Sequence, residues 1–180
     1  GLTFAPEGGT WRIRQVIKEF YDKRYKGTMT LPVYPPEYVS GIKEEGVKKI
    51  REFAEKGGTV LCLNESIDFA IENLKVPVSN PVKELKPQQY HCPGSTLWAE
   101  IDNGHPLAYG MPAKGLILMR GNLALAVKQG DVNENQRVVV SYPEERLMES
   151  GWLIGEEYLA RKAALIEAKV KEGKVILYAF

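Results

Sequence analysis

Apolar residues recur at helical spacing in the first half of the chain, on both sides of one strand-length apolar run. The spacing predicts a helix over residues 11–21, then a proline-rich connection with at most a short strand at "TMTLPV". A second helix is predicted from Ser40 to the glycine pair at 57–58, followed by the strand "TVLCL". A third helix opens at Asn64 to Ser66. A strand that is apolar on both faces between two helices indicates a sheet covered on both sides, so we expect a doubly wound, mostly parallel α/β arrangement.

The second half of the chain is dominated by strand patterns. Candidate strands are "STLWAEID", "LILMR", "NLALAV" and "RVVVSYP", separated by turns rich in Gly, Pro, Asn and Asp. The tail is ambiguous between helix and strand, but "KEGK" supplies a glycine turn before the β-rich "VILYAF". We therefore predict a C-terminal hairpin, and antiparallel strands added to the sheet.

Composition narrows the classes of protein without naming a function. A length of 180 residues suits a single domain over 1–180, and 24 basic against 23 acidic residues give no net field to attract nucleic acid. No apolar stretch is long enough for a membrane span, and the first residues, "GLTFAPEGGT", lack the charged and apolar regions of a signal peptide. Because the chain starts at Gly1, we expect it to be excised from a longer multidomain protein.

Cys62 lies in a strand that leads directly into a helix, and such a junction is a typical position for a nucleophilic cysteine. An attacking thiol needs an exposed position at the sharp turn, close to helix amides and a histidine base. Here the turn falls two residues later, so the elbow is degenerate, with Asn64, Glu65 and Ser66 in place of a nucleophile and its flanking glycines. We expect Cys62 to be buried in a central strand and inert, and Ser66 to act in helix capping.

Two histidines and a second cysteine are the remaining candidates for chemistry. The spacing of His91, Cys92 and His105 matches no zinc motif, so we expect neither a metal site nor a cofactor in this domain. The loops "YHCPGS" and "HPLAYGMP" instead suggest His91, Ser95 and His105 as loop residues that contact a ligand or partner. Trp98 and Trp152 lie in apolar segments and are expected to pack.

Several long motifs together resemble one known family. These are "PPEYVSGI", "FAEKGGTVLCLNESIDFAI", "YHCPGSTLWAEIDNGHPLAYGMP" and "SGWLIGEEYLARKAALIEAKVKEGKVILYAF", while "EGGTWRIRQVIKEF" is similar to the family's first helix. They resemble the C-terminal class I glutamine amidotransferase-like domain of large bacterial zinc carboxypeptidase-like proteins of the carboxypeptidase A type. The segment before Pro35 departs from that pattern, and so does the end of the chain.

The resemblance implies a flavodoxin-like three-layer sandwich in a secreted or cell-envelope protein, with zinc only in the parent's peptidase domain. It also implies a non-catalytic accessory role in packing, substrate positioning or partner contact. The alternatives are a divergent amidotransferase-like hydrolase and a small-ligand or carbohydrate-binding module. The expected partner is the peptidase domain of the same chain, or a second copy of the chain. The contact would use an exposed patch near Tyr34 to Tyr38 or in "YHCPGS".

Overall fold

The structure is a computed structural model that describes residues 41–127 and 135–180. The chain divides into two compact units, 1–52 and 53–180, and the first is described only over residues 41–52. The predicted helix over 11–21, the "TMTLPV" strand and Ser40 lie outside the described residues. The prediction of a single domain stays a prediction.

The described elements are two α-helices, nine strands and two short 3-10 helices. In chain order they are α1 (Lys43–Glu55), β1 (Thr59–Leu63), α2 (Ser66–Asn73), β2 (Val78–Ser79), β3 (Ser95–Ile101), a 3-10 helix (Pro106–Ala108), β4 (Lys114–Met119), β5 (Ala126–Val127), β6 (Gln136–Ser141), β7 (Met148–Ser150), a 3-10 helix (Glu156–Tyr158), β8 (Ala163–Val170) and β9 (Gly173–Tyr178). The helix, strand, helix order around "TVLCL" is confirmed. The described part of the chain has a mixed α/β fold in which strands outnumber helices.

The predicted stop of α1 at the glycine pair is confirmed. Gly57 has φ +99°, a left-handed conformation that glycine adopts without steric cost. Its N–H donates to Ala54 O at 3.2 Å, and the N–H of Gly58 donates to Phe53 O at 2.9 Å. These bonds satisfy carbonyls that the end of the helix leaves unpaired, so the chain turns sharply out of α1 into β1.

The main sheet has the order β1-β9-β8-β6-β3-β4, with β7 paired to β3. Among the described strands only β1 and β9 pair in parallel, and every other pairing is antiparallel. The prediction of a mostly parallel sheet is therefore wrong for the part of the chain that the structure describes. Only two residues connect β8 to β9, and such a short connection permits an antiparallel hairpin but not a parallel crossover.

Within residues 41–127 and 135–180, the β1 strand is covered on one face only. Cys62 is buried, whereas Leu61 and Leu63 on the opposite face are 54% and 52% exposed. Ile67, Phe69 and Ala70 of α2 are buried, and α2 packs against β1 and β9. The expectation of two covered faces is wrong here, because an apolar strand pattern does not reveal whether both layers are present. In the described sheet β1 also lies at the end of the strand order, so the expected central position is not observed.

The other strand predictions are confirmed except "NLALAV", where only Ala126 and Val127 form a strand. Leu123 and Ala124 are buried in irregular backbone, while the buried Leu125 forms an isolated antiparallel bridge with Ala163. The apolar character of Leu123 and Ala124 therefore reflects burial and not strand structure. Asn80 holds this segment, because its Nδ2 donates to Asn122 O at 2.8 Å and its Oδ1 accepts from Ala124 N at 3.3 Å.

Replacing Gly173, which begins β9, tests how tightly the hairpin packs against the end of α1. A Cβ at this position would overlap the carbonyl oxygens of Ala54 and Gly58, which are backbone atoms with little freedom to move. We expect Gly173→Ala to lower the free energy of unfolding by about 1–3 kcal/mol, as overpacking does. The measurement is urea denaturation followed by circular dichroism.

The matched control is Gly104→Ala, where the new Cβ would meet only the Asp102 side chain at 3.3 Å. Because Gly104 is exposed, we expect a change within about 0.5 kcal/mol. Equal effects of the two substitutions would show that the contact with Ala54 and Gly58 is not what requires glycine at position 173.

Candidate functional site

The turn between β1 and α2 has the sharp backbone of an elbow, with Asn64 at its tip. Asn64 adopts φ +49°, a left-handed conformation that asparagine tolerates better than most residues. Its N–H donates to Tyr178 O at 2.9 Å, and its carbonyl accepts from Ile67 N at 3.0 Å. The side chain of Asn64 is exposed. The position that an attacking group would need is therefore held by an amide, which is not a nucleophile.

Cys62 is buried in β1, as the sequence predicts, with 2% of its surface exposed. Burial raises the pKa of its thiol to about 11, and a hydrogen bond with Ser66 offsets part of that rise. Only the thiolate attacks a carbonyl, so the thiol is almost wholly unreactive near neutral pH. Cys92 is also a free, buried cysteine, and burial raises the pKa of its thiol as well.

Ser66 does not cap α2, so that prediction is wrong. The helix starts at Ser66 itself, and its N-cap residue is Glu65, which makes no side-chain capping bond. The Ser66 hydroxyl instead donates to Leu63 O at 2.7 Å. This bond ties the first turn of the helix to the end of β1 and uses the proton that a serine nucleophile would have to give to a base.

His91 and Ser95 both contact the segment around Trp152. The His91 backbone exchanges hydrogen bonds with Ile154, and its ring lies edge-on to Trp152 at 5.5 Å between centroids. The buried Ser95 hydroxyl donates to Trp152 O at 2.8 Å and accepts from Trp152 N at 3.0 Å. The Ser95 hydroxyl therefore makes both of these hydrogen bonds within the protein. Trp152 itself is exposed, contrary to the prediction that it packs.

His105 lies beyond the opposite end of β3 from Ser95, so the structure does not bring the three loop candidates together. Its side chain is buried, and Nδ1 accepts a hydrogen bond of 3.2 Å from Leu107 N at the start of the 3-10 helix. Nε2 lies 3.7 Å from Glu167 Oε1. The His105 side chain therefore fixes the turn before Leu107, and its carboxylate neighbour on β8 was not predicted from the sequence.

A cleft of about 540 Å³ lies beside His105, at one end of the neighbouring strands β6, β8 and β9. Its lining is strongly charged and comprises Gly57, His105, Pro106, Leu107, Asn135, Arg137, Glu167, Lys169, Glu172, Gly173 and Lys174. The charged residues of this cleft were not predicted from the sequence. The signal was present in "IEAKVKEGK", where charged residues alternate with apolar ones, because alternate residues of a strand share a face.

Within residues 41–127 and 135–180, no group of three or more His, Cys, Asp or Glu side chains is placed to hold a metal ion. Within the same ranges, no helix is both long enough and apolar enough to cross a membrane.

The rate of thiol alkylation tests the burial of Cys62. We expect Cys62 in the native chain to react slowly with iodoacetamide near neutral pH. The rate should increase with pH as the thiol ionises, with an apparent pKa of about 11. In the urea-unfolded chain the same thiol should titrate near about 8.5. Peptide mapping by mass spectrometry assigns the label to Cys62. An apparent pKa below that of the unfolded chain would instead identify an activated thiol.

No family model matches the chain, and no curated protein matches it in sequence. Among solved structures, a cytoplasmic protein from Salmonella typhimurium shares 14% identity over 88% of this chain and 52% of its own, with a TM-score of 0.40. A β-galactosidase from Bacillus circulans sp. alkalophilus shares 12% identity over 76% of this chain and 18% of its own, with a TM-score of 0.45. A putative ThuA-like protein from Bacteroides uniformis shares 12% identity over 93% of this chain and 74% of its own, with a TM-score of 0.39. The chain thus spans about half of the Salmonella protein, and these similarities establish neither a fold family nor a function.

Proposed function

We propose that the chain is a non-catalytic accessory domain of flavodoxin-like, amidotransferase-like build that serves a zinc carboxypeptidase-like parent protein through packing, substrate positioning or partner contact. The observation that supports the non-catalytic part is Asn64 at the tip of the turn between β1 and α2. Its backbone has the left-handed conformation of a nucleophile elbow, while its side chain is an exposed amide.

The surroundings of the elbow support the same conclusion. Covalent catalysis by a thiol or hydroxyl needs a base within hydrogen-bond reach. Cys62 contacts Ser66, whose hydroxyl is bonded to the Leu63 carbonyl. His91 and His105 are engaged elsewhere, with Trp152 and with the turn before Leu107. An assembly that pairs a nucleophile with a base is therefore not seen in the described residues.

An exposed apolar strip on β4 supports the contact role. Leu116 and Leu118 alternate with the buried Ile117 and Met119, and they are exposed on one face of the sheet. Trp98 lies opposite Leu116 in the register, with Lys114 Nζ 4.8 Å from its ring centroid. Neighbouring exposed leucines on a strand at the end of the described sheet are typical of a surface that another protein covers.

The location of this strip corrects an expectation from the sequence. The loop "YHCPGS" was predicted to provide the exposed patch, but Tyr90, Cys92 and Ser95 are all buried. The alternative location, Tyr34 to Tyr38, lies outside the described residues. Proline and aromatic content indicated a loop correctly, but it does not distinguish a loop that packs against the sheet from one that projects into solvent.

The absence of catalysis is tested with glutamine and a simple ester as substrates. We expect wild-type protein to show no turnover above that of Cys62→Ser. In the Cys62→Ser background, Asn64→Cys should give an exposed thiol that alkylates much faster than Cys62 in the wild type, because position 64 is exposed. It should still show no turnover, since it lacks a base. Wild-type turnover that Cys62→Ser abolishes would refute the non-catalytic role.

The contact role is tested in the chain joined to its natural neighbouring domain. Hydrogen exchange should show β4 amides protected in the joined protein and less protected in the isolated chain. We expect Leu118→Lys to remove that difference, whereas Tyr109→Lys, at an exposed aromatic residue outside the strip, should leave it unchanged. Identical exchange of β4 in the isolated and joined proteins would contradict the proposed contact surface.

A further inference from the structure

The backbone edge of β4 accompanies the exposed leucines of the same strand. β4 ends the strand order of the main sheet and, among the described strands, pairs only with β3. It runs for six residues without a proline or a bulge, and its single charged residue, Lys114, stands at its start. Natural sheets usually protect an edge with prolines, bulges or charges, because an open edge accepts further strands. Within residues 41–127 and 135–180, β4 therefore presents an edge with little such protection.

The direction of the β4 backbone groups follows from the ladder with β3. Ile101 N–H donates to Ala113 O at 2.8 Å, and from there hydrogen-bonded and non-hydrogen-bonded pairs alternate along the two antiparallel strands. Leu116 lies opposite Trp98, whose N–H donates away from β4, to Leu147 O at 2.7 Å. This pair is therefore of the non-hydrogen-bonded type. The β4 residues that direct their backbone N–H and C=O groups away from β3 are Lys114, Leu116 and Leu118.

The outward-facing backbone groups of β4 are complementary to those of a second copy of the same strand. Two identical strands pair in antiparallel fashion when a two-fold axis relates them. With the axis at Leu116, this residue lies opposite Leu116 of the second copy, and Lys114 lies opposite Leu118 of the second copy. Each of these pairs exchanges both backbone hydrogen bonds. This is the one two-fold register in which all three outward-facing residues pair with one another.

The side chains of β4 suit the same register. Leu116 would meet its own copy across the axis, and the exposed Leu118 would lie beside the alkyl chain of Lys114 from the second copy. Lys114 Nζ lies 4.8 Å from the Trp98 ring centroid, so the ammonium group leans toward β3 and away from the open edge. Like charges do not oppose one another in this register, whereas an axis at Lys114 would oppose two lysines.

We propose that the chain associates with a second copy of itself through antiparallel pairing of β4 about a two-fold axis at Leu116, which joins the two main sheets into one. This inference rests on the proposed contact role of the β4 strip and names the partner that covers it. A six-residue edge belongs to the small interfaces, below roughly 1,200 Å² in total. The dimer is therefore weak, with a Kd on the order of 0.1 mM.

Sedimentation equilibrium of the whole chain tests the association. Between about 0.01 and about 1 mM, a range that brackets the expected Kd, the mass should rise from that of a monomer toward that of a dimer. Leu116→Lys would oppose two lysines at the axis and should abolish the rise. Tyr109→Lys adds the same charge at an exposed residue outside β4 and should leave it unchanged. A monomer throughout the range, or an equal loss in the two variants, would overturn the proposal.

Disulfide cross-linking tests the register. Leu116→Cys would place two thiols directly opposite each other, with Cα atoms about 5.5 Å apart, a separation that a disulfide spans. Leu118→Cys is the matched control on the same exposed face, because its two copies would lie about 13 Å apart along the strands. The native cysteines, Cys62 and Cys92, are buried. On non-reducing gels we expect Leu116→Cys to form covalent dimers much faster than Leu118→Cys, and equal rates would contradict pairing about Leu116.

The neighbouring domain is the alternative occupant of the β4 strip, and hydrogen exchange of the joined protein well below the expected Kd separates the two cases. Protection of β4 amides in that dilute sample would overturn the second copy as partner and leave the accessory contact role in place. Unprotected β4 amides there, together with self-association of the isolated chain, would support the second copy and contradict contact with the neighbouring domain. Turnover is measured independently of association, so the non-catalytic role stands or fails separately.

Discussion

The pairing of β9 between β1 and β8 is the constraint on which the rest of the described structure depends. Val175 and Leu177 of β9 are fully buried, and the strand forms a parallel ladder on one side and an antiparallel hairpin on the other. Its first residue, Gly173, packs against the carbonyls that end α1. Its last residue, Tyr178, accepts the N–H of Asn64 at the elbow. One strand therefore determines the position of the turn, the helix end and the wall of the cleft.

The elbow between β1 and α2 combines a sharp backbone turn with a tip residue, Asn64, that is not a nucleophile. The left-handed backbone of Asn64 and the bond to Tyr178 O create the sharp exit from β1 into α2. Catalysis would require a nucleophile at the tip, yet the thiol lies two residues earlier inside the strand, where burial raises its pKa. A protonated, buried thiol contributes apolar packing. The turn here orders the fold, and its left-handed backbone favours asparagine at the tip.

The cleft and the apolar strip on β4 suit different kinds of partner. The strip exposes Leu116 and Leu118, whose burial against a protein surface is favourable because it removes apolar area from water. The cleft beside His105 is lined by charged side chains of both signs, whose desolvation by an apolar occupant would be unfavourable. They lie on different strands of the sheet, β4 on one hand and β6, β8 and β9 on the other.

The sequence by itself determined the local elements. Helical periodicity and the glycine pair located α1, the apolar run located β1, and "KEGK" indicated the C-terminal hairpin, because these signals depend on neighbouring residues. It also predicted that Cys62 is buried and that Asn64 occupies the elbow. Only the tertiary structure decided that the described sheet is mostly antiparallel, that Tyr90, Cys92 and Ser95 of "YHCPGS" are buried, and that His105 lies beside Glu167, 62 residues later in the chain. These features follow from which strands become neighbours, and pairing between distant segments leaves no periodic signal in either segment alone.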